Sequence, residues 1–418
     1  MEDWLKHIEV ATISHVGMRR STNQDSYEVA LAGDFDKWKK RGHFFLVADG
    51  MGAHAAGELA SKLAADGITH LYSKYQDISP PEALKRAVNE TNAEINRRGQ
   101  ANEEFNNMGT TCSTLALLPY GAVIAHVGDS RVYRIRNSKL EQLTFDHSLV
   151  WEMKAAGTIP GGAEGEALIP KNVITRSLGP YPDVNVDLEG PFPILPGDKF
   201  LLCSDGLTGE VEDDEIASLV SYLTPDRAAR VLVDLANLRG GPDNITILIA
   251  HAVGDKLATT GEYDKPLTVG GVNSSRNPGV VAYSCLGATL LGGIICSLMG
   301  SWWIAIPLLI VAAVLIGFVA MKLTGAGSGE KVVGDKAKFG RGPYTRTDAV
   351  SGSKLMVRLE SIGEQLRAAA REGELPVDLA GFDKSFSKAK QAAAAGDDSN
   401  AVNHFCAGLS NYMDQLRG

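Results

Sequence analysis

Five aspartates stand where short apolar runs give way to turn residues, most of them beside glycine. They are Asp25 in Arg20-Ser21-Thr22-Asn23-Gln24-Asp25-Ser26, Asp49 in Asp49-Gly50-Met51-Gly52, and Asp129 in Gly128-Asp129-Ser130-Arg131. The others are Asp205 in Ser204-Asp205-Gly206-Leu207 and Asp243 in Gly241-Pro242-Asp243-Asn244-Ile245-Thr246. The clearest case is Phe44–Ala48. Five apolar residues, too few for a helix, run into Asp49 and a glycine cluster, the pattern of a buried strand that delivers a carboxylate at its end. The glycines remove side chains beside that acid, so a metal or a phosphate can approach the backbone. One such Asp-Gly pair marks no more than a turn. Five acids at five strand edges ask for a shared purpose.

If those edges converge, the carboxylates repel one another unless cations neutralise them. The set offers oxygen ligands, with neither a Cys pair nor an HExxH-type histidine pair, which selects Mg²⁺ or Mn²⁺ over Zn²⁺. Such ions want octahedral oxygen shells and retain several waters. Two of them about 3.5–4 Å apart lower the pKa of a shared water and stabilise in-line attack on phosphorus. Arg20, close to the first acid, has the planar fork of donors that holds phosphate oxygens.

The elements that must carry these acids lie in residues 1–253, where short β-type runs alternate with helical patterns. Strands are expected over Ile8–Ile13, Phe44–Ala48, Thr110–Leu118, Val123–Val127, Arg131–Ile135, Lys199–Cys203 and Asn244–Ala250. Short turns such as Pro119-Tyr120-Gly121 join some of them, which implies antiparallel hairpins. Helical spacing fills Ala55–Tyr75, Pro81–Arg98 and Pro225–Leu238. Sheets covered by helices, an α+β layered domain, follow from this mixture. Between Phe145 and Pro182 the pattern loosens around Gly157, Pro160, Gly161, Gly162 and Gly165, as in a long loop or flap beside a site.

A chain of 418 residues suggests two to three domains, and its 44% hydrophobic and 22% charged content is ordinary for a globular protein. The net charge of −9 argues against a nucleic-acid binder, which needs a basic face. The cysteines Cys112, Cys203, Cys285, Cys296 and Cys406 are odd in number and lack CxxC spacing, which reads as buried thiols in a reducing compartment. The N-terminus Met1-Glu2-Asp3-Trp4 lacks the basic start and apolar stretch of a signal peptide, so residues 1–253 are expected in the cytoplasm.

Residues 254–278 form a polar linker. Residues 279–321 then contain no charged side chain, about twice the roughly 20 residues that one bilayer span requires. Two spans, 280–299 and 302–321, are expected to meet at Gly300-Ser301, with Trp302 and Trp303 at an interface; one kinked span near Pro307 is the other reading. Lys265 and Arg276 precede the region and Lys322, Lys331, Lys336 and Lys338 follow it, which places both flanks in the cytoplasm. A second linker covers 322–350. In 351–418 a small helical unit is expected from Leu355, Leu359, Ile362 and Leu366, then Leu379, Phe382 and Phe386, then Ala401, Phe405, Leu409 and Met413. Gly396-Asp397 before the last run resembles the turn of one tetratricopeptide-type helical pair.

Taken with Gly109-Thr110-Thr111 and Thr175-Arg176-Ser177-Leu178-Gly179, the five acidic motifs and Arg20 make an ordered series. Residues 8–253 resemble the metal-dependent serine/threonine protein phosphatases of the 2C type, in their bacterial form. The resemblance implies a four-layer αββα sandwich of two antiparallel sheets flanked by helices. It implies catalytic roles for Arg20, Asp49 and Asp205. Asp49 would bridge two Mn²⁺ or Mg²⁺ ions and the Gly50 carbonyl would ligate one of them. Asp205 and Asp243 would complete the first site, and Asp25 would act on the second through a water. Asp129, with Asp205, would hold the weaker third metal of bacterial members, and Arg20 would bind the substrate phosphate. Attack would come from metal-activated water, without a phosphoenzyme, and residues 145–182 would be the flap.

The chain departs from the pattern at Met51, where animal relatives have a histidine proposed as general acid, leaving protonation to a metal-bound water. Ala53 stands for a glycine and Ser177 for an alanine, both small changes; His54 nearby reads as incidental. The expected whole is a hydrolase of the inner membrane of a bacterial cell, acting on phosphoproteins made by a serine/threonine kinase, with its catalytic domain and C-terminal helices in the cytoplasm. The alternative is a catalytically weak sensor or scaffold that relays signals to partners. Decayed acids would mark it, and none has decayed. A metal-dependent nuclease or phosphodiesterase conflicts with the net acidity.

Overall fold

The computed structural model describes residues 4–52, 55–159, 165, 168–170, 172–259, 339–371 and 377–417, with short stretches between 267 and 333. The chain forms two compact units, one of Met1–Asp264 with Lys336–Gly418, the other of Lys265–Asp335.

In the first unit the expected strands form, Thr110–Leu118 as two short strands, with three more that the sequence reading passed over, Asp25–Ala30, Lys139–Gln142 and Asp187–Phe192. The strands are β1 Ile8–His15, β2 Asp25–Ala30, β3 His43–Met51, β4 Gly109–Thr110, β5 Cys112–Leu118, β6 Gly121–Val127, β7 Arg131–Arg136, β8 Lys139–Gln142, β9 Asp187–Phe192, β10 Lys199–Cys203 and β11 Ile245–Ala252. All pair antiparallel. One sheet runs β2-β3-β5-β6-β9, with β4 beside the end of β3. The other runs β1-β11-β10-β7-β8 and continues into a strand from the far end of the chain.

The two sheets bury one apolar layer between them. Phe45 and Val47 of β3 share a core cluster with Leu115, Leu117, Phe200, Leu202 and Leu248. Successive residues of a strand point to opposite faces, so Phe44 turns outward, where its ring lies 4.9 Å from that of Tyr72. Both faces of β3 are therefore covered, which is why its sequence reads as an unbroken apolar run rather than an alternation. Tyr72 belongs to α2 (Ala56–Lys74), which with α3 (Pro80–Ala101) covers the β3 sheet. Ser79 starts α3 by accepting from the Glu82 N–H, as a helix-start residue should.

The second sheet is covered by α6 (Asp213–Tyr222) and α7 (Pro225–Leu238), numbered after α1 (Phe35–Arg41), α4 (Leu149–Ala156) and the single turn α5 (Asp205–Thr208). Residues 145–182 are thus only partly irregular: α4 lies within them, and Ser148 bridges to Ile174. Residues 160–164, 166–167 and 171 fall outside the described residues, as do Ala53, His54 and Cys285. Cys112, Cys203 and Cys406 are buried free thiols.

In the second unit, β12 (Leu267–Val269) pairs with β13 (Lys331–Val333). About half of the residues of the two expected membrane spans lie outside the described residues, and among the described residues no helix is long and apolar enough to cross a membrane.

The segment read as a second linker holds β14 (Thr345–Asp348), which pairs with β8 at the edge of the second sheet. Three helices follow: α8 (Gly352–Arg371), α9 (Leu379–Ala394) and α10 (Asp398–Arg417). Leu355, Phe382, Phe405 and Leu409 join Val231, Leu232 and Leu235 of α7 in one buried cluster. The C-terminal helices therefore pack onto the two-sheet sandwich within the same compact unit.

Candidate metal centre

Each of the five acids sits at one end of the sandwich because the strand before or after it stops there. Asp25 opens β2 and lies in register with Asp49 of β3. Asp205 follows β10, Asp243 precedes β11, and Asp129 lies between β6 of one sheet and β7 of the other. The two sheets are tied together at this edge. Ser204 Oγ donates to Asp25 Oδ2 across the sandwich at 2.8 Å, and the Gln24 N–H reaches Asn244 Oδ1 at 2.8 Å. Asn244 in turn donates to the carbonyls of Val16 and Thr22.

The backbone of Asp49 is held on both sides. Its N–H donates to Thr111 Oγ1 at 2.8 Å, and its carbonyl accepts from the Thr111 N–H and Thr110 Oγ1, each at 2.9 Å. Thr111 Oγ1 also pairs with Ser130 Oγ at 2.7 Å, which links the strand end carrying Asp49 to the loop carrying Asp129. A Cβ on Gly50 would run into the carbonyl oxygens of Gly57 and Gln24. The missing side chain there lets helix α2 and the residue before β2 close on the end of β3, a packing reason that stands beside the expected metal approach. Gly128, at φ 114, is a second position that demands glycine.

Electrostatics at this edge are dominated by burial. Burial raises Asp25 to about 7, against the pull of hydrogen bonds from Thr246 and Ser204, and the charges of Asp205 and Asp243 add to the rise. Asp129 is likewise raised to about 7 by burial, then by Asp205 and Asp146. Asp49 is pushed well above the usual carboxylate range by burial, then by Asp25, Asp205, Asp129 and Asp243. Burial followed by the charge of Asp243 raises Asp205 too, with a hydrogen bond from Asp49 opposing it. Asp25 Oδ1, Asp129 Oδ1 and Asp205 Oδ1 are buried without a hydrogen-bond partner.

Among the described residues, no three acidic, histidine or cysteine side chains stand close enough to form a ready cation cage. The donor set nevertheless fits hard divalent ions, which take oxygen ligands and keep several waters in their shell. Three orphaned carboxylate oxygens, neighbouring acids whose pKa values are raised by burial and by one another, and no thiolate or imidazole among them are the chemistry of such a site.

Arg20 is half exposed and donates from Nη2 to Asp243 Oδ2 at 2.8 Å, so the expected phosphate ligand lies at the acid edge. A cavity of about 580 Å³ runs from Asp129 and Asp205 past Arg131 to Trp151 of α4 and Thr345 of β14. Met51 pairs with Gly109 at the end of β3.

Sequence reasoning gave no role to the groups that hold the acids. Ser204, Asn244 and Thr246 are each within three residues of a site aspartate, and that adjacency was the available signal. It also missed His147, whose Nδ1 accepts from the Gly128 N–H at 2.9 Å and whose Nε2 lies 2.9 Å from Asp187. Arg176 binds the same Asp187 at 2.7 Å. No local pattern ties residue 147 to 187; only the fold does.

Two sheets with this strand order and an acid cluster at one edge define a class, and comparison with known proteins agrees. The model for protein phosphatase 2C matches residues 17–235. A putative protein phosphatase 2C-type of Streptococcus pyogenes is 36% identical over 248 residues, which cover 58% of this chain and 97% of that protein. The serine/threonine phosphatase stp of Listeria monocytogenes is 38% identical over 212 residues, 49% of this chain and 83% of the relative. Among solved structures, the Mycobacterium tuberculosis serine/threonine phosphatase PstP/Ppp superposes with a TM-score of 0.51 at 31% identity, over 59% of this chain and 99% of that one. The Streptococcus agalactiae serine/threonine phosphatase gives 0.52 at 33% identity, over 59% and 100%. The chain belongs to the protein phosphatase 2C family.

Proposed function

We propose that this serine/threonine protein phosphatase hydrolyses phosphoserine and phosphothreonine in proteins at the acid edge of the sandwich, with Mn²⁺ or Mg²⁺ as cofactor. The observation that carries the reading is the convergence of Asp25, Asp49, Asp129, Asp205 and Asp243, with three carboxylate oxygens buried and unpartnered. When bound, two such ions supply an acidified water and charge to neutralise the phosphoryl oxygens.

The protein's part is to hold and orient. Asp49, fixed by Thr110 and Thr111 and facing Asp25 across the strand pair, would be the ligand shared by two ions, and the Gly50 carbonyl would be a ligand beside it. Asp205 and Asp243 would complete one site. Asp25, steadied by Ser204, would serve the other through a water. Asp129 with Asp205 would hold a third, weaker ion. Arg20, anchored by one guanidinium nitrogen to Asp243, turns the remaining donors of its fork to the substrate phosphate.

The enzyme is anchored to the inner membrane of a bacterial cell by residues 279–321 and acts on the products of a serine/threonine kinase in the cytoplasm. The absence of charge in that region supports anchoring, as does the exposure of Leu298, Met299 and Trp303, each more than three-quarters open. The pairing of β14 with β8 supports an even number of crossings, since the chain before and after the region meets in one sheet.

Titration with Mn²⁺ by calorimetry tests the centre: the wild type should take up at least two ions, and Asp49→Asn should lose at least one. Equal uptake by both would remove Asp49 from the centre. For anchoring, the full chain should sediment with membranes and a chain lacking residues 279–321 should not. Release of the full chain by salt alone would overturn the span reading.

A further inference from the structure

Asp129 stands on the short loop 128–130, which carries the chain from β6 of one sheet to β7 of the other. A carboxylate on so short a loop points where its two neighbours let it, and both neighbours are gripped. The Gly128 N–H donates to His147 Nδ1 at 2.9 Å, and the Gly128 carbonyl accepts from the His147 N–H at 2.8 Å. One residue thus holds both main-chain polar groups of Gly128. On the other side of Asp129, Ser113 Oγ donates to the Ser130 carbonyl at 2.8 Å, and Thr111 Oγ1 pairs with Ser130 Oγ at 2.7 Å. A Cβ on Gly128 would stand 2.6 Å from the Thr111 side chain, so the loop has no room to settle elsewhere on that side.

The His147 ring is itself fixed in orientation and tautomer. A backbone N–H can only donate, so Nδ1 is the bare nitrogen and the ring proton lies on Nε2, an assignment made from the hydrogen bonds. Nε2 lies 2.9 Å from Asp187 Oδ2, which accepts that proton. Arg176 Nη1 is also 2.9 Å from Nε2, but its own acceptor is Asp187 Oδ1 at 2.7 Å. Asp187 is the first residue of β9, in register with His126 of β6. The His126 ring stacks on His147 with centroids 4.9 Å apart, and its Nε2 lies 2.9 Å from the Phe145 carbonyl oxygen. His147 is fully buried, so it meets no substrate. Its reach ends at Gly128, one residue from the acid.

We infer that His147, held by Asp187, is a positioning residue for Asp129: it fixes the direction in which that carboxylate enters the acid edge. It thereby sets the affinity of the weaker ion that Asp129 would hold with Asp205. An unanchored loop would have to be ordered by the ion itself, and that entropy would come out of the binding free energy. Asp49 and Asp25 are held by Thr110, Thr111 and Ser204 instead, so the tighter ions should not depend on His147. The inference rests on the reading of these acids as a phosphatase metal centre.

The test uses full-length protein and Mn²⁺ alone, with two readouts: ion uptake by calorimetry, and hydrogen exchange of the Gly128 amide in the metal-free protein. His147→Leu should speed exchange at Gly128 and weaken uptake of the last ion about 10–100-fold, while the tighter ions bind as in wild type. His147→Asn puts an amide oxygen near the place of Nδ1, so it should restore slow exchange and most of that affinity. A merely structural role would weaken all ions alike and would not be rescued by asparagine. Equal loss of every ion, unchanged uptake of the last ion despite fast exchange at Gly128, or no rescue by asparagine would each overturn the inference. Should His147→Leu fail to fold, Asp187→Ala replaces it, since Asp187 is partly exposed. The loss should again be confined to the weakest ion, and no loss overturns the proposal. A wild type that takes up two ions and no more would overturn it as well, leaving the two-ion centre standing. Failure of the phosphatase reading looks different: the wild type would then take up no Mn²⁺ and release no phosphate from a phosphothreonine peptide.

Discussion

Asp25, buried, and Asp49, half-buried, face each other across adjacent strands, the charge of Asp205 raises both, and without a cation that edge disfavours charge. The sign of the consequence follows from Asp25 and Asp129, both raised to about 7. Between the unfolded carboxylate value near 4 and about 7, the native protein binds more protons than the unfolded chain. The stability of the metal-free protein therefore falls as pH rises through that window. Divalent ions must displace those protons, so affinity moves the other way with pH. Mn²⁺ should bind about tenfold more weakly at pH 6 than at pH 8 for each proton displaced, with proton release detectable as a buffer-dependent heat. Affinity constant across that range would contradict the burial of these acids.

At the scale of elements, the acid edge works because strand ends are held by neighbours distant in sequence. Thr111, just past the end of β4, holds the Asp49 N–H and Ser130 together. Thr111→Val should leave that buried N–H without an acceptor. The expected results are a loss of about 1–3 kcal/mol in urea unfolding and about 10–100-fold in metal affinity or activity. An unchanged enzyme would show that Thr111 does not position Asp49.

Much of this edge was legible. Phe44–Ala48 announced β3 because both of its faces are covered, and glycine punctuation marked where the acids fall. Asp25–Ala30 was passed over because Ser26, Tyr27 and Glu28 hide its half-buried alternation, although it delivers one of the five acids. The His147–Asp187–Arg176 group could not be read, since its members meet only when residues 145–182 fold against the start of β9. β14 was taken for linker because Thr345, Arg346, Thr347 and Asp348 carry no apolar side chain. An edge strand is held by its ladder and needs none.

For the molecule as a whole, the C-terminal helices are bound to the catalytic sandwich by packing and by polar contacts. Ser410 Oγ donates to the fully buried Asp234 at 2.9 Å, Arg358 pairs with Asp214 at 2.9 Å, and the Val350 N–H donates to Ser218 Oγ at 2.9 Å. A chain ending at residue 264 would expose the face of α7 that carries Val231, Leu232 and Leu235. It should be less stable to urea than the full chain, by roughly 2–5 kcal/mol, about two buried aliphatic side chains, and should bind more of an apolar dye. An unfolding midpoint equal to that of the full chain would show that the helices only sit beside the sandwich.

The most direct measurement is release of phosphate from a phosphothreonine peptide with and without Mn²⁺, for wild type, Asp49→Asn and Asp205→Asn. The wild type should be active only with Mn²⁺ or Mg²⁺. Both variants should fold normally and lose more than the roughly 10–100-fold expected for a residue one shell out. A wild type inactive with either ion, or folded variants as active as wild type, would contradict the metal centre at the end of β3.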